Sequence, residues 1–490
     1  MRTPSPRSPH FPHSSDESFR VPLARPARAA AIPAFLRDIC RGLIDRQRED
    51  ELLPWADQAL AIDPFAAEFV EMRVQALSLA GRHREAAEML RRHAGLPWPR
   101  AGFDTRLGHE LAMAGDLEAG IRHLDLGMRH ATTAGDEAAA AIAAHRLGEA
   151  WLKLGEPRGF AGWLRRNDDP VSSGSYRTDL PMWNGGDVSG RRVLITHQLG
   201  FGDQLLMLAA ARDWLHAGAR LMITCDTPLL PLLRASLPDC RVVDAPRPVG
   251  AGEPLPEALR HEIAVFAPDL HASLLHLPLL DATRARPRGR FEPYLRVPTD
   301  RARAATLWAR RMRAAAPGRK LVGLCYDCSH RHRPELGSAA RCWAARRSLP
   351  REAVERLIAH PALASRVLFV SLHHPSGEAL AGGLPRGMRH YAPDIEGFDD
   401  TAACIRELDA VIAVDSSVAN LAALLGATTC VPVNRSGDWR WGNAGTVSPW
   451  LPGVTVLRQR DSGDWQPVLE GLVGWVESVV LGGEAGASVG

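Results

Sequence analysis

Hydrophobic and polar positions follow two different rhythms along this chain. From about Pro33 to Arg166, apolar residues recur at helical spacing and predict helix after helix. "AAEFVEMRVQALSLAGRHREAAEMLRRHAGL" reads as two amphipathic helices with a turn at Gly81. "DTRLGHELAMAGDLEAGIRHLDLGMRHA" repeats the plan with its turn at Gly115-Asp116, and "AAIAAHRLGEAWLKLGEPRGFAGWLRR" repeats it again with its turn at Gly155. After a linker at 167–190 the rhythm changes to short apolar runs between helices. Strands are expected at Arg192 to Thr196, Arg220 to Cys225, Arg241 to Val243 and Glu262 to Phe266. A break rich in Pro and Arg, "RARPRGRFEPYLRVPTD", precedes a helix from about Arg301 to Ala315. A second series follows at Lys320 to Cys325, Arg366 to Leu372, Ala410 to Val414 and Thr428 to Val433.

Strands alternating with helices predict parallel sheets, and two series joined by a helix predict two Rossmann-like domains facing a cleft. In the helical part, Leu-Gly or Ala-Leu recurs in the first helix of each pair, Gly at the turn and Ala early in the second. Small residues let helices approach closely. This pattern resembles tetratricopeptide repeats, with a generic helical bundle as the alternative. Such a solenoid binds protein or acts as a structural cap.

One stretch, "AVIAVDSSVANLAALLGATTCVPV", combines a strand, a turn at Asp415-Ser416-Ser417, a helix and a strand. Asp and Ser are good helix N-caps, and the turn falls at the carboxyl end of a strand, where open α/β sheets bind ligands. The N–H groups opening a helix can hold a phosphate, although an ordinary well-capped unit would look the same. In "LGFGDQ", Gly200 and Gly202 permit a tight turn and close backbone approach. Asp203 there is either an N-cap or a carboxylate able to accept a proton from an attacking hydroxyl. "CYDCSHRH" places Cys325, Cys328, His330 and His332 together, but the His-x-His spacing is atypical of structural zinc, and a metal-free loop near the cleft is preferred. Trp439 and Trp441 in "DWRW" can stack on a base or sugar, or simply pack a loop against a domain.

Composition narrows these readings. A chain of 490 residues with 46% hydrophobic content supports about three domains, and a net charge of +3 argues against a nucleic-acid partner. Only Lys153 and Lys320 among 59 basic residues are lysines, so single arginines carry little weight and Lys320 carries slightly more. The eight cysteines form no secreted disulfide framework. Residues 1–32 are rich in Pro, Ser and Arg and lack the apolar core of a signal peptide. They read as a disordered tail, as do 483–490. No apolar run is long enough to span a bilayer, so a cytoplasmic protein is expected, able to work at the inner face of a membrane.

Taken in order, "PMWNGGDVSGRRVLI", "GFGDQ", "RRSLP", "FVSLHHPSGEAL", "FDDTAACIRELDAVIAVDSSVANLAALLG", "DWRW", "SPW" and "VLRQRDSGDW" cover about Pro181 to Val468. They resemble bacterial tetratricopeptide-repeat proteins with a glycosyltransferase-family-9-like domain, related to the ADP-heptose:lipopolysaccharide heptosyltransferases. That resemblance implies a tetratricopeptide-like solenoid (33–166) followed by a GT-B fold. Its acceptor domain would be 191–300 and its nucleotide-sugar donor domain 301–482. It implies a nucleotide-diphosphate sugar, a protein or glycan acceptor, inversion at the sugar, and no metal or cofactor. Asp203 matches the proposed base. Lys320, Arg347, Ser348, Asp415, Ser416, Ser417, Asn420, Trp439, Arg440 and Trp441 fall on the donor side. The chain departs from the family where Asn420 replaces His, His373 replaces Gln, and "GNAGTV" lacks Arg and Asp. Asn donates a hydrogen bond but carries no charge. The alternative is a repeat scaffold that keeps the fold without the reaction.

Overall fold

The computed structural model describes residues 31–168, 174–280, 291–328, 336–374, 383–391 and 395–482. The tails at 1–30 and 483–490, part of the linker, and His330 and His332 lie outside the described residues.

Eight helices come first: α1 (Ala34–Asp45), α2 (Leu53–Ile62), α3 (Ala67–Leu79), α4 (His83–Arg92), α5 (Arg100–Ala114), α6 (Leu117–Thr133), α7 (Glu137–Lys153) and α8 (Gly159–Leu164). Each packs on the helix before it in the chain. The turn glycines Gly81, Gly115 and Gly155 take φ of 73°, 98° and 78°, a region open to glycine. The helical glycines have a different task. A Cβ on Gly108 would meet the Leu124 backbone nitrogen at 2.7 Å, and one on Gly148 would meet that of Trp163 at 2.5 Å. Facing backbones touch at these points, which explains the recurring Leu-Gly.

The strands β1 (Tyr176–Arg177), β2 (Arg192–Thr196), β3 (Arg220–Cys225), β4 (Arg241–Asp244), β5 (Glu253–Pro254) and β6 (Leu270–Ser273) follow. A parallel sheet has the order β4-β3-β2-β6, with β1 and β5 paired separately. Helix α9 (Phe201–Leu208) leaves the carboxyl end of β2. The second sheet contains β7 (Lys320–Cys325), β8 (Val367–Ser371), β9 (Arg389–His390), β10 (Ala410–Ala413), β11 (Thr429–Val433) and β12 (Val454–Arg458). Its order is β12-β11-β10-β7-β8-β9, all parallel. Both sheets are Rossmann-like. Each reverses direction beside its first strand, between β2 and β6 and between β7 and β10. Such switch points leave a crevice outside the strand ends.

One expectation is corrected. Glu262 to Phe266 is not a strand but the second half of the helix Glu257–Phe266, which ends at Ala267 with φ 50°. A short apolar run cannot be assigned by periodicity alone. The strand lies just beyond, in "LHAS". A continuous core runs from Leu152, Phe160 and Trp163 of the helical part through both sheets to Trp439, Trp441 and Trp450.

Candidate functional site

The crevice is built by two helix starts that meet. After the fully buried β10, Asp415 and Ser416 turn the chain into the helix Ser417–Leu424. Ser416 holds the N-cap backbone position at φ −154° without a side-chain cap bond, leaving the first N–H groups without that acceptor. Across from it, α9 starts at Gly200, and Asp203 Oδ2 accepts from the Gly200 N–H at 3.3 Å. Leu199, just before, holds φ 66°, a costly conformation for a bulky residue of the kind that collects at functional turns. A Cβ on Gly202 would stand 2.9 Å from Asn420 Nδ2 and 3.3 Å from Ser417 Cα. Gly202 thus lets the two helix N-termini touch.

Two positive dipole ends placed together call for negative charge. Three carboxylates supply it: Asp203, Asp415 and Asp438. Two arginines tie them. Arg440 pairs with Asp203 across the crevice and places Nη1 2.7 Å from Asp438 Oδ1. Arg347 Nη1 lies 3.5 Å from Asp415 Oδ2. Burial works against the Arg440 charge, but Asp438, Asp203 and Asp415 together raise its pKa above the ordinary guanidinium value. Arg347 is raised in the same way, its burial outweighed chiefly by Asp415. Burial pushes the Asp438 carboxyl up despite Arg440 beside it.

The remaining expected residues sort clearly. Asn420 donates from Nδ2 to the Ser416 carbonyl at 3.0 Å, while its buried Oδ1 has no hydrogen-bond partner among the described residues. Ser348 accepts from the Cys328 N–H at 2.9 Å and donates to the Ala344 carbonyl, so it shapes the loop after β7. Trp439 and Trp441 are buried. Trp439 packs edge-on against Phe160, Trp163 and Trp450 at 5.8, 5.4 and 5.7 Å, so its ring is turned toward the helical part and not into the crevice. Lys320 is not brought to the site. It is the first residue of β7, at the far end of the sheet, with Nζ 3.2 Å from Asp409 Oδ1. Five further strand residues, at about 3.3 Å each, separate it from the crevice.

Sequence reasoning passed over Asp438, although it lies inside "DWRW". Its signal was a carboxylate two residues from an arginine, between the two tryptophans' loop and a strand end. Among the described residues no group of three His, Cys, Asp or Glu side chains is placed to hold a metal. Cys325 Sγ lies 3.9 Å from Ser416 Oγ, and Cys328 Sγ 3.5 Å from the Asp415 carbonyl. Burial pushes their thiols up to about 12 and about 11. His373, lowered to about 4 by burial, accepts from the Tyr326 N–H at 3.1 Å as a neutral ring.

No family model matches the chain. Protein FlbA of Caulobacter vibrioides is 24% identical over 379 residues, covering 72% of this chain. The match spans 58% of that protein's length, less than two thirds of it. Among solved structures, a glycosyl transferase family 9 protein from Veillonella parvula overlaps 61% of this chain and 100% of its own, at 10% identity and a TM-score of 0.44. The ADP-heptose lipopolysaccharide heptosyltransferase II of E. coli overlaps 59% of this chain and 99% of its own, at 14% identity and a TM-score of 0.38. A mutant Thermobaculum terrenum O-GlcNAc transferase overlaps 93% of this chain and 95% of its own, at 16% identity and a TM-score of 0.31. Overlap at this level does not carry a function across. No described helix is long and apolar enough to cross a membrane.

Proposed function

We propose that this chain is a GT-B glycosyltransferase, moving a sugar from a nucleotide-diphosphate donor to a hydroxyl of a protein or glycan acceptor without a metal. One observation carries the reading: Asp203 and the Asp415-Ser416-Ser417 turn, from the switch points of two separate sheets, share one crevice. The donor diphosphate would lie against the start of Ser417–Leu424, with Arg347 and Arg440 as its cations and Asn420 as a hydrogen-bonding neighbour. Asp203 would take the acceptor proton as the acceptor oxygen bonds to the anomeric carbon. The carbon–oxygen bond to phosphate breaks, its electron pair leaves with the nucleoside diphosphate, and the anomeric configuration inverts. Arg440 must release Asp203 for this step. Ser348, Trp439 and Trp441 brace the loops behind the site. We read the helices as tetratricopeptide-type repeats that present the acceptor or a protein partner, in the cytoplasm or at the inner face of a membrane.

The test is calorimetric titration with ADP, UDP and GDP and their sugar conjugates, beside Arg347→Ala and Asp415→Ala. Selective binding lost in both variants, followed by donor turnover abolished by Asp203→Asn, is the expected result. A well-folded chain that binds none of them sinks the proposal. A second reading, a scaffold that has kept the fold without the reaction, is favoured by the engagement of Asp203 by Arg440 and by Asn420 in place of a chargeable His. In that case Asp203→Asn leaves cellular function intact.

A further inference from the structure

A cavity of about 530 Å³ lies between the helical part and the second α/β domain, with none of the crevice residues in its lining. Four guanidiniums line it: Arg84 and Arg91 from α4, Arg435 after β11, and Arg458 at the end of β12. Two carboxylates, Glu88 and Asp116, are the acidic lining. Among the described residues none of the four arginines has a carboxylate within the 4.0 Å of an ion pair. Elsewhere in the helical part Arg73, Arg82 and Arg122 each take one. Glu88 stands four residues after Arg84 and three before Arg91, spacings that permit pairing, yet it pairs with neither. Asp116 Oδ1 is committed to capping α6 through the Ala119 N–H at 3.1 Å.

The two domain-side arginines are held in place by backbone carbonyls. Arg458 Nη2 donates to the Trp441 and Gly442 carbonyls at 2.9 Å, while its Nε is buried without a partner. Arg435 Nη2 reaches the Ala114 carbonyl at 3.5 Å, across the boundary between the two parts. Asn443 makes the same crossing, donating to the Gly115 carbonyl at 3.1 Å. Burial first, and then the nearby Arg435, lower Arg458 to about 10, with the Asp415 carboxylate acting against them. Clustered cations without counter-charges destabilise a fold unless an anion offsets them.

We propose that this cavity binds a small polyanion bearing phosphoryl or carboxylate groups, which bridges α4 to the second α/β domain. Planar guanidiniums suit both oxyanions through paired hydrogen bonds. The volume is that of a small-molecule site. None of the crevice residues Asp203, Arg347, Asp415 or Arg440 lines it, so the proposal stands apart from the glycosyltransferase reading.

The full chain is titrated calorimetrically with inorganic pyrophosphate and, in a second arm, citrate, at about 0.15 M ionic strength, where long-range charge effects are screened. Because the crevice can also take pyrophosphate, the titration is run in an Arg347→Ala background. Saturable binding is expected there, with a rise in melting midpoint. Arg84→Ala with Arg91→Ala should weaken it by roughly tenfold or more per guanidinium, and the lysine pair at these positions should retain part of the affinity. Arg92→Ala, which removes one exposed charge from the same helix outside the cavity lining, should change it less than about twofold. Tighter pyrophosphate than citrate assigns a phosphoryl ligand, and the reverse a carboxylate. The proposal is overturned if the double alanine variant titrates like Arg92→Ala, or if neither anion saturates a folded chain.

Discussion

Gly148→Ala drives a methyl carbon into the backbone of the next helix. An added Cβ would sit 2.5 Å from the Trp163 nitrogen, 2.6 Å from the Gly159 oxygen and 2.7 Å from the Gly162 carbonyl carbon. All three are main-chain atoms, so no side-chain rotation relieves the clash. Ordinary contacts need about 3.5 Å, which requires α7 and α8 to part by roughly 1 Å. Overpacking of this kind costs about 1–3 kcal/mol, and with three hard contacts the upper end applies. The better helix propensity of Ala returns about 1 kcal/mol, leaving a net loss of about 2 kcal/mol. Gly102→Ala provides the opposite sign. It is exposed in α5 and an added Cβ meets nothing within 4 Å, so a gain of about 0.5–1 kcal/mol is expected. Urea titration followed by tryptophan emission reads both, since Trp163 sits at the strained joint. Gly148→Ala should also weaken nucleotide binding, because α8 supports Trp439 and through it the loop that carries Arg440. An unchanged urea midpoint for Gly148→Ala, or a shift of the same sign as for Gly102→Ala, would refute the close-packing argument.

Three further outcomes are expected. With their thiols held up at about 12 and about 11, Cys325 and Cys328 should resist thiol reagents in the native chain at pH 8 and react after unfolding, as mapped by peptide mass; fast native labelling contradicts this. Burial, helped by Arg458, lowers the Lys153 ammonium to about 8 from 10.5. The unfolded chain then binds more protons than the folded one between those values, so this group's contribution to stability rises as pH climbs from about 8 to 10.5. Lys153→Met should flatten that rise in denaturation curves, and an unchanged pH profile counts against it. Asp203→Asn should cut any donor turnover by about 10²–10⁴-fold while leaving nucleotide affinity near its starting value.

Much of the fold was legible because its signals are local. The run "AVIAV" followed by Asp-Ser-Ser fixes a strand, a turn and a helix within a dozen residues, and the turn glycines of the helical part mark their own positions. The strand at Leu270–Ser273 was missed because a brief "LHAS" carries little apolar pattern, while its neighbour "EIAVF" carries a misleading one. The crevice was half legible. Asp203 and Asp415 could each be placed at a strand end, but their meeting depends on Gly202 against Asn420, a contact between residues more than two hundred positions apart. Lys320 attracted attention through rarity, yet the end of a strand a residue occupies decides whether it reaches a ligand. The orientation of Trp439 was beyond the sequence, since an indole suits a base and a neighbouring helix equally well.

The aromatic joint has a consequence for inheritance and engineering. Phe160 and Trp163 from α8 cover Trp439 and Trp450, and the Trp450 indole donates to the Leu152 carbonyl at 2.9 Å. A chain severed after residue 168 would bare these indoles to water and turn them into a sticky patch that promotes self-association. The front half is therefore no interchangeable cartridge. Any recombination that supplies new helices to this back half must bring matching aromatic lining with them, so the two halves are expected to travel through evolution as one piece.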